Sequence, residues 1–167
     1  VWSHQTSSAA SGGGISFDFA QGDGPRAARA TFEQHAASLV VTVENLGGDV
    51  LIPEHLLTAV FFDLRPAGML TPVSGVLGPE SVALFGGGQP DGGEIGGEWA
   101  FWHREDEPLP PAADYGIGTA GLDLFSPHHL FPGDNLSGSP HVNGMDYALL
   151  SRDDNPGTGN KPVTGHF

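Results

Sequence analysis

The sequence predicts an all-β fold, an antiparallel β-sandwich or jelly-roll with long glycine-rich loops and little helix. Three observations lead there. Apolar residues recur at every second position in several short runs, the spacing of a strand with one buried face. The runs follow one another at intervals of about ten residues, as in sandwiches and jelly-rolls. The 26 glycines and 14 prolines supply turns between them, and hardly any segment carries a helical period.

Residues 1–13 end in Ser11-Gly12-Gly13 and are small, polar and without periodicity, so they read as a flexible leader or an arm ordered by a partner. A single β-sandwich domain is expected over 14–167. It opens with Ile15, Phe17 and Phe19 alternating with Ser16, Asp18 and Ala20. Gly22-Asp23-Gly24-Pro25 is turn chemistry and predicts a first hairpin. In 26–33, Ala28, Ala30 and Phe32 alternate with Arg29, Thr31 and Glu33; a strand is expected, although the alanines also tolerate a short helix. In 38–45, Leu39, Val41 and Val43 face one way and Val40, Thr42 and Glu44 the other, until Gly47-Gly48 breaks the run.

Residues 49–52 form a short apolar stretch closed by Pro53, and 53–57 suit a single helical turn because proline fits a first helical position. The most hydrophobic segment, 58–64, reads as a strand buried on both faces. Weaker strand signals follow at 73–76 and 81–85. A glycine-dense loop over 86–97 then leads into Glu98-Trp99-Ala100-Phe101-Trp102. Residues 104–114 suggest an exposed loop, Tyr115-Gly116-Ile117-Gly118 a glycine-weakened strand, 125–138 an irregular surface excursion, and Tyr147-Ala148-Leu149-Leu150 a last short strand. Asp153-Asp154-Asn155-Pro156-Gly157 is turn chemistry, and 162–167 runs toward another extended segment.

A chain of 167 residues is long enough for one hydrophobic core, and its 38% hydrophobic content is too high for a disordered low-complexity chain. Acidic residues outnumber basic ones 20 to 6, a formal charge of −14 that repels phosphate backbones and argues against nucleic-acid binding. With no cysteine, disulfides, zinc–thiolate sites and thiol nucleophiles are excluded. No apolar run reaches bilayer-spanning length. The opening Val1-Trp2-Ser3-His4 has neither an initiator methionine nor a signal peptide, which suggests a processed or trimmed chain.

Calcium is the first ligand class the residues suggest. Asp91 and Glu94 lie in the glycine-rich loop beside Glu98, and Asp134, Asn135, Asp146, Asp153 and Asp154 lie in later loops, where hard oxygen ligands and turned backbone carbonyls suit that ion. No EF-hand spacing occurs, and the same residues are ordinary turn formers. His128, His129 and His141 lack the spacing of a zinc motif. Glu98 with Asp63 or Glu105 is the only acid–base pairing worth naming, and no Gly-x-Ser-x-Gly elbow is present, so no catalytic residue is assigned and no enzyme is expected. Trp99 and Trp102 have opposite strand parity. With Trp99 and Phe101 assigned to the core, Trp2, Trp102 and Tyr115 remain as ligand or partner contacts.

Five segments resemble bacterial exosortase-sorted surface proteins, those exported with a PEP-CTERM-type anchoring tail. They are Leu57-Thr58-Ala59-Val60-Phe61-Phe62-Asp63, Leu70-Thr71-Pro72-Val73-Ser74, Gly96-Gly97-Glu98-Trp99-Ala100-Phe101, Leu130-Phe131-Pro132-Gly133-Asp134-Asn135-Leu136-Ser137-Gly138 and Val142-Asn143-Gly144-Met145-Asp146-Tyr147. The resemblance implies export, a cell-surface or biofilm-matrix location and no enzymatic activity. The chain departs from it after Phe167, where such proteins continue into an apolar strand, a Pro-Glu-Pro motif, a hydrophobic stretch and a basic tail.

The expectation is therefore a non-catalytic, secreted structural protein of a bacterial surface or extracellular matrix, with other copies of itself as partners. The leader or residues 162–167 would insert into a neighbour's sheet to build a filament or layer. Calcium is an optional stabiliser. The alternative is a carbohydrate-binding module of the same fold that stacks surface polysaccharide on exposed aromatics.

Overall fold

The computed structural model describes residues 13–22, 26–52, 55–66, 68–76, 78, 99–104, 113–118 and 149–150 in full, and residues 4–9 and 134–135 as backbone. These residues form two four-stranded antiparallel sheets, and no α-helix occurs among them. Contacts divide the chain into two compact units, Val1–Leu57 with Leu149–Gly165, and Thr58–Ala148 with His166–Phe167.

The first unit holds a sheet of strands β1 (His4–Ala9), β2 (Ile15–Ala20), β3 (Ala27–His35) and β4 (Ser38–Asn45), arranged in chain order. Pairing is antiparallel and in phase. Ile15, Phe17 and Phe19 stand opposite Phe32, Ala30 and Ala28, which in turn stand opposite Val41, Val43 and Asn45. Side chains alternate along each strand, so this register lines up the three apolar sets on one face. Ala28 and Ala30 are buried there. Phe17 and Phe32, diagonal neighbours, meet edge to face with centroids 5.8 Å apart, a contact worth about 0.5–1.5 kcal/mol beyond the area it covers. The opposite face is polar. Ser16 and Thr31 share a hydroxyl hydrogen bond of 2.9 Å, and Asp18, Arg29 and Glu44 form a row across three strands.

The hairpins follow from local chemistry. A two-residue loop, Ala36-Ala37, joins β3 to β4, and Ala36 takes a left-handed φ of 52° there. Gly13 and Gly22 supply positive φ before and after β2. Gly14 is needed for a different reason, since a Cβ would lie 2.6 Å from Glu33 Cγ and 3.0 Å from the Phe32 carbonyl oxygen. Residues 26–33 do not form a helix, and β3 runs to His35. Where the sequence suggests an arm without structure of its own, His4–Ala9 forms a ladder along β2 from His4 opposite Ala20 to Ala9 opposite Ile15. Backbone groups alone can make such a ladder, so it needs no apolar alternation.

Beyond β4 the chain is tied by one side chain. Asn45 Nδ2 donates to the carbonyls of Leu149, at 2.7 Å, and His55, at 3.1 Å, while its Oδ1 accepts from the Gly47 amide at 2.9 Å. Leu57 and Leu149 form an antiparallel bridge beside it. The His55 amide donates to the Ile52 carbonyl at 3.0 Å, and Pro53 and Glu54, where the single helical turn is expected to begin, lie outside the described residues.

The second unit holds β5 (Ala59–Phe62), β6 (Ala100–His103), β7 (Tyr115–Gly118) and β8 (Asp134–Asn135), in the spatial order β5-β7-β6-β8. β7 is therefore central, and its sequence decides both faces. Gly116 stands opposite Phe61 on one side and Trp102 on the other, while Gly118 stands opposite Ala59 and Ala100. Two positions without side chains leave a slot that Trp102 fills. Trp102 and Ala100 are fully buried, with Ala59 and Phe61 packed against them. On the other face Tyr115 lies between Phe62 and His103 in a three-ring stack, centroids 5.4 and 5.2 Å apart.

Two expectations are corrected here. Trp102, assigned as an exposed contact, has no exposed surface, whereas Trp99 and Phe101 are only half-buried. Parity separates the two faces but does not say which is covered, and the glycines of the neighbouring strand select the Trp102 face. The exposed loop expected over 104–114 is corrected at its end, where Ala113 is buried and its carbonyl accepts a 2.9 Å hydrogen bond from Arg104 Nε, while 105–112 lie outside the described residues.

Candidate functional site

Among the described residues, two places stand out, a charged corner at the start of β7 and the outer edge of β4. In the corner, Asp114 Oδ2 accepts from Arg65 Nη1 at 2.9 Å, and Arg104 Nη1 lies 3.6 Å from Oδ1. The Asp114 amide donates to Asp63 Oδ1 at 2.8 Å, and the Tyr115 hydroxyl donates to the Gly68 carbonyl. The Arg65 hydrogen bond, helped by the Arg104 charge, holds the Asp114 carboxyl below the usual carboxylate range, and Asp114 raises the Arg65 guanidinium in turn. Both carboxylates accept hydrogen bonds, Asp114 from Arg65 and Asp63 from the Asp114 amide. The arrangement latches Asp63, Arg65 and Gly68 to the start of β7.

The β4 edge is defined by the phase of its ladder. The Leu46 amide donates to the Ala27 carbonyl at 2.8 Å. Because hydrogen-bonded positions alternate in an antiparallel pair, Ser38, Val40, Thr42 and Glu44 point their backbone groups at β3, and Leu39, Val41 and Val43 point theirs outward. Among the described residues no strand pairs with that edge. Val40 is 43% exposed.

The residues suggested for calcium are not brought together by any described contact. Asp91, Glu94, Asp146, Asp153 and Asp154 lie outside the described residues, as do Glu98, Glu105, His128, His129, His141 and Trp2. Asp134 and Asn135, expected in a loop, form β8 opposite Phe101 and Ala100. Among the described residues no group of three or more acids and histidines is placed to hold a metal ion, and no helix is long and apolar enough to cross a membrane. Asp63, the one described member of the acid–base pairing, is engaged by the Asp114 amide and lies 3.8 Å from Arg65. Tyr115 is 1% exposed. Neither it nor Trp102 offers a ring face to a sugar.

The roles of Asn45, Arg65, Arg104 and Asp114 were not read from the sequence. One signal pointed to the arginines. With six basic residues among twenty acids, any arginine has a ready carboxylate, and Arg29, Arg65 and Arg104 all take one. No protein-family model matches the chain, and neither does any curated protein or solved structure.

Proposed function

We propose that the protein is a non-catalytic structural component of a bacterial surface or extracellular matrix, secreted and self-associating by β-strand addition. The proposed architecture is a β-sandwich or jelly-roll. The observation that carries the reading is the outer edge of β4, where Leu39, Val41 and Val43 present backbone donors and acceptors that another strand can take. The resemblance to exosortase-sorted surface proteins supports the location, and the formal charge of −14 suits a solvated exterior. β1 already lies in its own sheet, which takes it out of the donor role, and 162–167 lies outside the described residues. Calcium, drawn by the acidic loops, is proposed as a stabiliser of the assembly.

Sedimentation and negative-stain imaging across a concentration series, with and without calcium, test this. Growth from monomer to larger species is expected, promoted by calcium. A chain that stays monomeric at every concentration refutes self-association, and assembly unchanged by chelation removes calcium from the reading.

A further inference from the structure

We infer that the outer edge of β4 joins two copies of this chain, each copy's β4 pairing antiparallel with the other's about a two-fold axis at Val41. The inference rests on the strand-addition reading above and names its partner.

The edge is bounded at both ends. The Ala36-Ala37 turn closes one, and at the other Asn45 is committed to His55 and Leu149. Between them the ladder with β3 is continuous from His35 opposite Ser38 to Ala28 opposite Asn45, with no bulge to twist the edge away. In a chain carrying −14, residues 36–43 hold no charge, and Val40-Val41-Thr42-Val43 is an unbroken β-branched run. Edges protected against pairing carry lysine, proline, inward charges or bulges. None occurs from Ser38 to Val43.

Symmetry selects the occupant. A two-fold at Val41 sets Leu39 opposite Val43 of the second copy, so outward-pointing groups meet outward-pointing groups, and each such pair exchanges both N–H···O=C bonds. Val40 then faces Thr42 of the second copy, and Glu44 faces Ser38. The only charge on the strand thus meets a hydroxyl, whereas a parallel in-register pairing would set Glu44 against Glu44, which is destabilising. An isologous contact of this kind closes on itself and joins two four-stranded sheets into one.

Sedimentation of the full chain and two variants tests the pairing. Val41→Pro removes an outward N–H without removing a ladder bond to β3, and Val40→Lys places a cation on an exposed edge position. Each is expected to weaken association by about tenfold or more while leaving the far-ultraviolet spectrum of the monomer unchanged. In the Val40→Cys/Thr42→Cys double variant, the only thiols are the introduced ones, and oxidation is expected to link two copies covalently, since directly opposed strand positions approach disulfide distance. Wild-type assembly that both single variants leave intact, with no covalent dimer from the double variant, overturns the β4 pairing and leaves strand addition elsewhere standing. A wild-type chain that never associates overturns both readings.

Discussion

Arg29 grips Asp18 with two donors across adjacent strands, Nε to Oδ1 at 2.6 Å and Nη2 to Oδ2 at 3.0 Å, at directly opposed positions of β2 and β3. Glu44 stands opposite Arg29 on its other side, in β4. The hydrogen bond from Arg29 holds the Asp18 carboxyl below its ordinary value, against a smaller opposing effect of desolvation.

A depressed carboxylate pKa contributes stability above the unfolded-state value, about 3.9, and loses it as pH falls through the folded-state value. Both side chains are 41% exposed, so the contribution is screened to about 1 kcal/mol or less. Asp18→Asn is expected to lower the denaturant midpoint at neutral pH, with the difference from wild type vanishing in strong acid. Paired chemical denaturation curves at the two pH values check this.

Gly14→Ala places a methyl group where Glu33 Cγ and the Phe32 carbonyl already stand. The Glu33 side chain can swing aside but the carbonyl cannot, so a loss of about 1–3 kcal/mol is expected, the usual range for overpacking. Thermal denaturation of the variant measures it. Gly48→Ala, where nothing lies within 4 Å and no positive φ is involved, is the matched control and is expected to change little.

Ala36→Gly acts in the other direction. A left-handed conformation costs a non-glycine residue about 1–2 kcal/mol, and part of that gain is offset by the greater freedom of glycine in the unfolded chain. A net rise in stability of about 0.5–1 kcal/mol is expected, read as a higher denaturant midpoint at unchanged slope.

Trp102→Ala removes the largest fully buried side chain of the second sheet and leaves Gly116 facing a void. A cost of about 3–5 kcal/mol is expected for such a truncation. Loss of the cooperative melt of this unit, rather than loss of affinity for any glycan, is the outcome to look for. A variant that keeps full stability while losing sugar binding would reinstate the contact role.

Tyr115→Phe keeps the ring stack with Phe62 and His103 and removes the hydroxyl that donates to Gly68. A loss of about 1 kcal/mol is expected. Faster hydrogen exchange in 63–69, with the β7 amides unchanged, would place the effect at the latch.

Much of the first sheet was legible because it is a meander. Each run of alternating residues pairs with the next in sequence, so the parities of Phe17, Ala30 and Val43 could be read separately and then superimposed. β1 escaped notice because its pairing with β2 rests on backbone groups, which side-chain periodicity does not report. The second sheet was harder, since β7 lies between strands that precede it in the chain. The charged corner joins Asp63, Arg65, Arg104 and Asp114, which no local pattern connects.

The sequence by itself determined the strand class, the alternation within each strand, the acidic surface and the absence of thiol chemistry, because these depend on composition and on a two-residue period. The tertiary structure alone decided that β7 would separate β5 from β6 and that Trp102 rather than Phe101 would be enclosed. It also decided that Asn45 would tie Leu149 to His55. The reason is physical, since which face is buried and which distant carbonyl is reached depend on the neighbouring strand, and that neighbour is set by long-range pairing.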